Sequence, residues 1–161
     1  MTTDLPEADL EVKAADPGVR RDLASACLRL SSLLSAMGDT KESLSLAEKA
    51  LTVLEPLDAG AAAPADIRRE VVVAETAIGD LLSATGNTQG ALEHRRKVVS
   101  TMETLIAVEP SDLNNIRQMG VAYQKLANSL GNPNYPNIGD YAPALEYLQR
   151  SGDVFRKAAS L

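Results

Sequence analysis

Ile78-Gly79-Asp80-Leu81-Leu82-Ser83-Ala84-Thr85-Gly86-Asn87-Thr88-Gln89-Gly90-Ala91-Leu92-Glu93 reads as the end of one helix, a tight turn and the start of another. Ile78 and Leu82 are spaced as one face of an α-helix, with the small residue Gly79 beside them. Gly86 accepts the left-handed conformation that commonly ends a helix. Asn87 supplies a side-chain acceptor for the first N–H groups of the next helix, where small Ala91 and apolar Leu92 resume the pattern.

The same arrangement returns on either side. Arg21, Arg69 and Arg117 stand 48 residues apart, and the register carries with them Ala26, Ala74 and Ala122, then Leu30, Ile78 and Leu126. The small residues Ser31, Gly79 and Ala127 follow, and Leu34, Leu82 and Leu130 close the set. In the first copy, Leu23, Ala26, Cys27, Leu30 and Leu34 form the expected inner stripe. Turns fall at Gly38-Asp39, Gly86-Asn87 and Gly139-Asp140, and Asp39 with Glu42 fits a capping box. The second helices share Ser43, Ala91 and Ala144, then Leu44, Leu92 and Leu145, then Leu54, Met102 and Phe155. Their pattern predicts lengths of roughly 17 to 22 residues. Pro56 and Pro110 mark where the first two stop, and Pro17 and Pro64 mark starts of first helices. The third copy carries five extra residues within Leu130–Gly139, where two prolines and three asparagines predict an extended loop.

A helical hairpin alone cannot bury both faces, whereas about three stacked hairpins can share one core. The expected fold is therefore all-α: three stacked hairpins in a short right-handed solenoid. Residues 17–161 form the repeat domain, with units at about 17–56, 64–109 and 111–159, after an acidic, flexible segment at 1–16.

At Ile78–Glu93, and again at Tyr123-Gln124-Lys125-Leu126-Ala127 with Gly139-Asp140-Tyr141-Ala142-Pro143-Ala144-Leu145-Glu146, the chain resembles the tetratricopeptide repeat. That family places a small residue in its first helix, Gly-Asp or Gly-Asn at the turn, and Ala early in its second helix. The period here is 48 residues, against 34 in the usual repeat. The long period, the opening Arg20-Arg21-Asp22-Leu23-Ala24 and the insertion at 131–140 resemble the repeats that follow the kinase domain in certain bacterial serine/threonine protein kinases. No kinase domain is expected in this chain, which lacks His-Arg-Asp, Asp-Phe-Gly and a Gly-x-Gly phosphate loop. Whether it is a full-length protein or part of a larger kinase stays open from sequence.

A net charge of −6 argues against broad nucleic-acid binding, which needs a basic stripe to displace counterions. One cysteine allows no internal disulfide, and Met1–Asp16 has five acids against one Lys, unlike a secretory signal. No apolar run approaches the roughly 20 residues of a membrane span. The expected location is the cytoplasm, with no membrane insertion.

No metal, cofactor or catalytic site is expected. His94 lacks partners at a ligand or triad spacing and reads as a solvated helix residue between Glu93 and Arg95. Cys27 reads as a small apolar filler. Asp80, Glu42 and Glu48 read as solvated carboxylates, and Arg95-Arg96-Lys97 as surface charge. Tyr123, Tyr141 and Phe155 take core positions, while Tyr135, in the polar loop, is a candidate contact residue.

The resemblance implies a protein-interaction module that takes a peptide or helix in a groove lined by first helices. It places at the groove Leu28, Ser32 and Ser35 in the first unit, Thr76, Asp80 and Ser83 in the second, and Gln124, Lys125 and Asn128 in the third. Leu28 and Ser32 stand where the family's chaperone-tail clamp has Lys and Asn, which argues against that clamp. The alternative role is structural self-association as a homodimer, motivated by the aromatic-rich last unit and the apolar end Phe155–Leu161.

Overall fold

The computed structural model describes residues 16–59 and 63–160. The N-terminal segment expected to be acidic and flexible lies outside them, apart from Asp16, as does Leu161. All regular structure among the described residues is helical. The helices are α1 (Pro17–Ala36), α2 (Thr40–Leu54), α3 (Ala65–Ala84), α4 (Thr88–Val108), α5 (Leu113–Gly131) and α6 (Tyr141–Ala159). They form three hairpins, in keeping with the repeat. The chain divides into two compact units, one ending at Val71 and the other beginning at Val72, so the boundary falls inside α3.

The turns are built as their sequence predicts. Gly38, Gly86 and Gly139 have φ of 87°, 84° and 81°, a region closed to most side chains. Behind each glycine one N–H reaches back to close the turn: Asp39 to Leu34 O (2.9 Å), Asn87 to Leu82 O (2.9 Å) and Asp140 to Leu130 O (2.8 Å). Asp39 and Asn87 then cap, accepting from Glu42 N at 3.2 Å and Gly90 N at 3.0 Å. The full capping box does not form, because the Asp39 N–H that Glu42 would accept already serves Leu34. Asp140 makes no capping bond either. The residue three places on is Pro143, which has no N–H to donate.

In the first unit α1 packs on α2 around Ala24, Ala47 and Ala50, all fully buried, with Cys27, Leu51 and Leu54. Where the helices come closest, Ser31 Oγ donates to Ser43 O (2.8 Å) and Ser43 Oγ donates to Ser31 O (2.7 Å). The expected inner stripe is corrected here. Leu23, Ala26 and Leu30 are exposed, and the face against α2 is centred on Ala24, Cys27 and Ser31. α2 is also shorter than expected, at 15 residues. Arg21 donates to Asp66 (2.6 Å) and Glu70 (2.9 Å), tying α1 to the start of α3. The Glu70 hydrogen bond, then Asp66, raises the Arg21 guanidinium above its ordinary value.

In the second unit Ile78, Leu92, Met102, Leu105, Ile116 and Leu126 are the large fully buried side chains. α5 packs against both α4 and α6. Ser151 Oγ donates to Gly120 O (2.8 Å), and a Cβ at Gly120 would lie 2.7 Å from the Phe155 ring. Tyr123 is buried and pairs with Tyr147, ring centroids 5.6 Å apart, while Arg150 lies over the Tyr147 ring. Tyr141, expected in the core, is 62% exposed: it opens α6 on the face turned away from α5.

The five-residue insertion is folded rather than extended. Asn137 Nδ2 donates to Asn132 O (3.0 Å) and Tyr135 O (2.9 Å), and Asn137 Oδ1 accepts from Gly139 N (2.9 Å). Ile138 N donates to Ser129 O (3.0 Å) and Asn132 Nδ2 to Asn128 Oδ1 (2.8 Å). The asparagines staple the loop shut, so the Leu130–Asp140 turn bond matches those of the other hairpins despite the added length.

Candidate functional site

Three helices of the second unit enclose a cleft of about 150 Å³. Val72 and Thr76 come from α3, Arg95 and Val98 from α4, and Gln118, Val121, Ala122 and Lys125 from α5. Four of the eight side chains are aliphatic, and two are cationic.

The cations are held by the helices themselves. Arg95 is 9% exposed; one guanidinium nitrogen donates to the Ser129 hydroxyl on α5, and Nη2 lies 3.4 Å from Asp80 Oδ1 on α3. Lys125 donates to the other oxygen of Asp80. Two positive side chains therefore share one carboxylate, leaving a net positive charge at the base of an apolar cleft. Arg95 Nε is buried and has no hydrogen-bond partner. A buried donor left unmade costs about 1–3 kcal/mol.

The sequence alone reads Arg95 as surface charge with Arg96 and Lys97, and Asp80 as a solvated carboxylate. Helical geometry corrects both. The three basic residues point in three directions, and Arg95 alone turns inward, while Arg96 and Lys97 are exposed. Asp80, although half exposed, is an ion-pair partner to two helices.

Beside the cleft lies a second polar pair. Glu75 on α3 is buried, accepts a bond with His94 Nδ1 on α4, and has Lys97 Nζ at 3.5 Å. His94 is thus a half-buried partner of a buried carboxylate, not the solvated residue its charged neighbours suggested.

Of the nine groove residues read from sequence, Thr76 and Lys125 line the cleft and Asp80 binds two of its walls. Gln124 is exposed, Ser83 half-buried, and Asn128 is engaged with Asn132 of the insertion. Tyr135 is exposed at the tip of the stapled loop. In the first unit Ser32 and Ser35 are exposed on α1 and Leu28 is half-buried.

Sequence reading missed Arg95, Val72, Val98, Gln118 and Val121. A signal for Arg95 was present in the repeat register. Its counterparts are Ala47 and Leu148, so a cation stands where the other copies have aliphatic residues.

Among the described residues no three His, Cys, Asp or Glu side chains are grouped to hold a metal, and no helix is long and apolar enough to cross a membrane. No curated protein and no solved structure matches the chain. The family model for the tetratricopeptide repeat matches residues 23–55, which span the α1–α2 hairpin from Leu23 to Glu55. Repeats of this family are generally non-catalytic and bind proteins or peptides. With its Ser31–Ser43 close approach and its Gly38 turn in that hairpin, the chain carries a tetratricopeptide repeat.

Proposed function

We propose that the chain is a protein-interaction module and that the α3–α4–α5 cleft takes an extended or helical peptide bearing an acidic side chain beside an apolar one. The observation that carries this is the pairing of Arg95 and Lys125 on one carboxylate, with Arg95 Nε buried and unpartnered. The apolar part of the ligand packs on Val72, Val98 and Val121, and its carboxylate meets the surplus charge. Thr76, Asp80, Ser83, Gln124, Lys125 and Asn128 border this path, and Leu28, Ser32 and Ser35 are its proposed counterparts in the first unit. Tyr135 offers an aromatic contact from the loop. The module is taken as residues 17–161, with units at 17–56, 64–109 and 111–159. The resemblance of its opening and its insertion to kinase-linked repeats supports a docking or regulatory role beside a bacterial serine/threonine kinase in the cytoplasm.

The test is a titration of the full chain with paired peptides that carry Glu or Gln next to a leucine. The Glu peptide is expected to bind more tightly, and Arg95→Met to weaken it by about ten- to a hundredfold, since a hydrogen bond to a charged group contributes about 1.5–3 kcal/mol. Asp80→Asn frees both cations and tightens binding. Equal binding of the two peptides, or indifference to Arg95→Met, refutes the acidic-ligand reading. Homodimerisation is a second reading, favoured by the exposed apolar face of α6.

A further inference from the structure

The repeat supplies its own comparison for every surface position. On α5, Met119, Ala122, Leu126 and Ser129 are buried, and α4 packs on that helix. Their counterparts on α3, namely Val71, Ala74, Ile78 and Leu81, are buried as well. On α1 the same register positions are Leu23, Ala26, Leu30 and Leu33, and all four are exposed, Leu30 by 48% and Leu33 by 63%. A face that is covered in two copies, apolar on α1 and α3 and apolar but for Ser129 on α5, is shaped to take a helix.

The covering side of that contact is equally present and equally bare. α4 meets α5 through Arg95, which binds Ser129, and carries the fully buried Leu92 one turn before it. The counterparts on α6 are Leu148 and Leu145, exposed by 42% and 59%, with Tyr141 one turn further back. Each chain therefore holds both halves of one inter-repeat contact. Carried across in register, Leu148 falls on Leu33 where α4 and α5 have Arg95 on Ser129. The polar pair becomes leucine on leucine, and both residues gain by leaving water.

We propose that copies of this chain associate head to tail, the exposed face of α6 in one copy docking on the exposed face of α1 in the next. The contact is heterologous: different surfaces meet, unlike a two-fold dimer. Whether it closes into a ring or continues depends on the rotation between copies, and either outcome makes mass rise with concentration.

Sedimentation of the full chain across a wide concentration range tests this, with circular dichroism as the folding control. The wild type is expected to exceed monomer mass as concentration rises. Leu33→Glu disables the head and Leu148→Glu disables the tail, each weakening association by about a hundredfold or more. Both residues are exposed, so the fold is retained; Leu30→Glu and Leu145→Glu are the duplicate pair. Neither variant alone associates, but their mixture forms a dimer and nothing larger, because one intact tail meets one intact head. A wild type that stays monomeric overturns the proposal. So does a Leu33→Glu or Leu148→Glu variant that still self-associates, which assigns the contact to one face meeting itself or to another surface.

Discussion

Three glycines of the last hairpin separate steric contact from helix propensity, and alanine at each has a different expected effect. A Cβ at Gly131 would lie 2.9 Å from Asp140 O, 2.9 Å from Tyr141 Cα and 3.0 Å from Asp140 C. All three atoms are backbone, held by the Asp140–Leu130 bond that closes the turn. Nothing there can swing away, so Gly131→Ala must move the start of α6. Overpacking of this kind costs about 1–3 kcal/mol, and a backbone neighbour places Gly131 in the upper part of that range. At the last residue of α5 little helix propensity is regained. A net loss of about 2–3 kcal/mol lowers the melting temperature by roughly 5–10 °C at this chain length. Gly152, inside α6, is the opposite case. Its nearest neighbour is Arg156 Nη1 at 3.6 Å, an ordinary contact at the end of a flexible side chain. Gly152→Ala therefore gains about 0.5–1 kcal/mol from reduced unfolded-chain entropy. Gly120→Ala lies between them, because its three close atoms, at 2.7–3.0 Å, all belong to the half-buried Phe155 ring. Its penalty should vanish when combined with Phe155→Leu. Thermal and urea unfolding followed by helical ellipticity reads all three. Shifts of the same sign for Gly131→Ala and Gly152→Ala would refute the steric account of the hairpin.

Ser31→Ala with Ser43→Ala should change stability by no more than about 1 kcal/mol, because both carbonyls sit within helices and no buried group is orphaned. Ser31→Leu should destabilise by several kcal/mol, as its target space is filled by α2; equal urea midpoints for the two would contradict the close approach. His94→Ala leaves Glu75 buried with only the more distant Lys97, and about 2–4 kcal/mol should be lost. Glu75→Leu with His94→Leu should recover most of that, and a double-mutant cycle showing no coupling would count against the pair. Burial raises the Tyr123 hydroxyl above its ordinary value of 10.0, with Glu103 adding to the shift and Arg150 opposing it. The folded state thus holds this proton to higher pH than the unfolded chain. The stability it represents is complete below pH 10.0 and falls as pH rises through the folded value. Tyr123→Phe should flatten that alkaline loss in urea midpoints; parallel curves for the two proteins would exclude Tyr123 as its source.

The hairpins, their turns and their closest contacts were legible because each depends on a residue type with one strong physical reason to be there. Gly38, Gly86 and Gly139 adopt the left-handed turn, and Ser31 and Ser43 meet where small side chains were required. The rotation of α1 was not legible. Leu23 and Leu30 continue a helical stripe that is buried on α3 and α5, so periodicity could not tell a core face from a bare one. The Asp140 cap failed for a reason visible in sequence, since Pro143 stands at the donor position.

The chemistry of the site was hidden because it lies in departures from the repeat rather than in the repeat. One register pair shows this in all three copies. Cys27 and Leu46 occupy it in the first, Glu75 and His94 in the second, Tyr123 and Tyr147 in the third. The second copy's pair is a bonded carboxylate and imidazole, and the third copy's is a ring pair. The same backbone positions thus hold two apolar side chains, a polar bond and an aromatic contact, so the scaffold accommodates each pairing. Arg95 follows the same logic, replacing Ala47 and Leu148 and bringing Asp80, Lys125 and Ser129 into its circle. A buried charge costs free energy unless neighbouring residues compensate it. Asp80 on α3 and Ser129 on α5 bond to Arg95, and Lys125 shares Asp80 with it, yet its Nε stays unpartnered. That departure from Ala47 and Leu148, a half-satisfied guanidinium beside Val72, Val98 and Val121, is the observation on which the proposed acidic-ligand site rests.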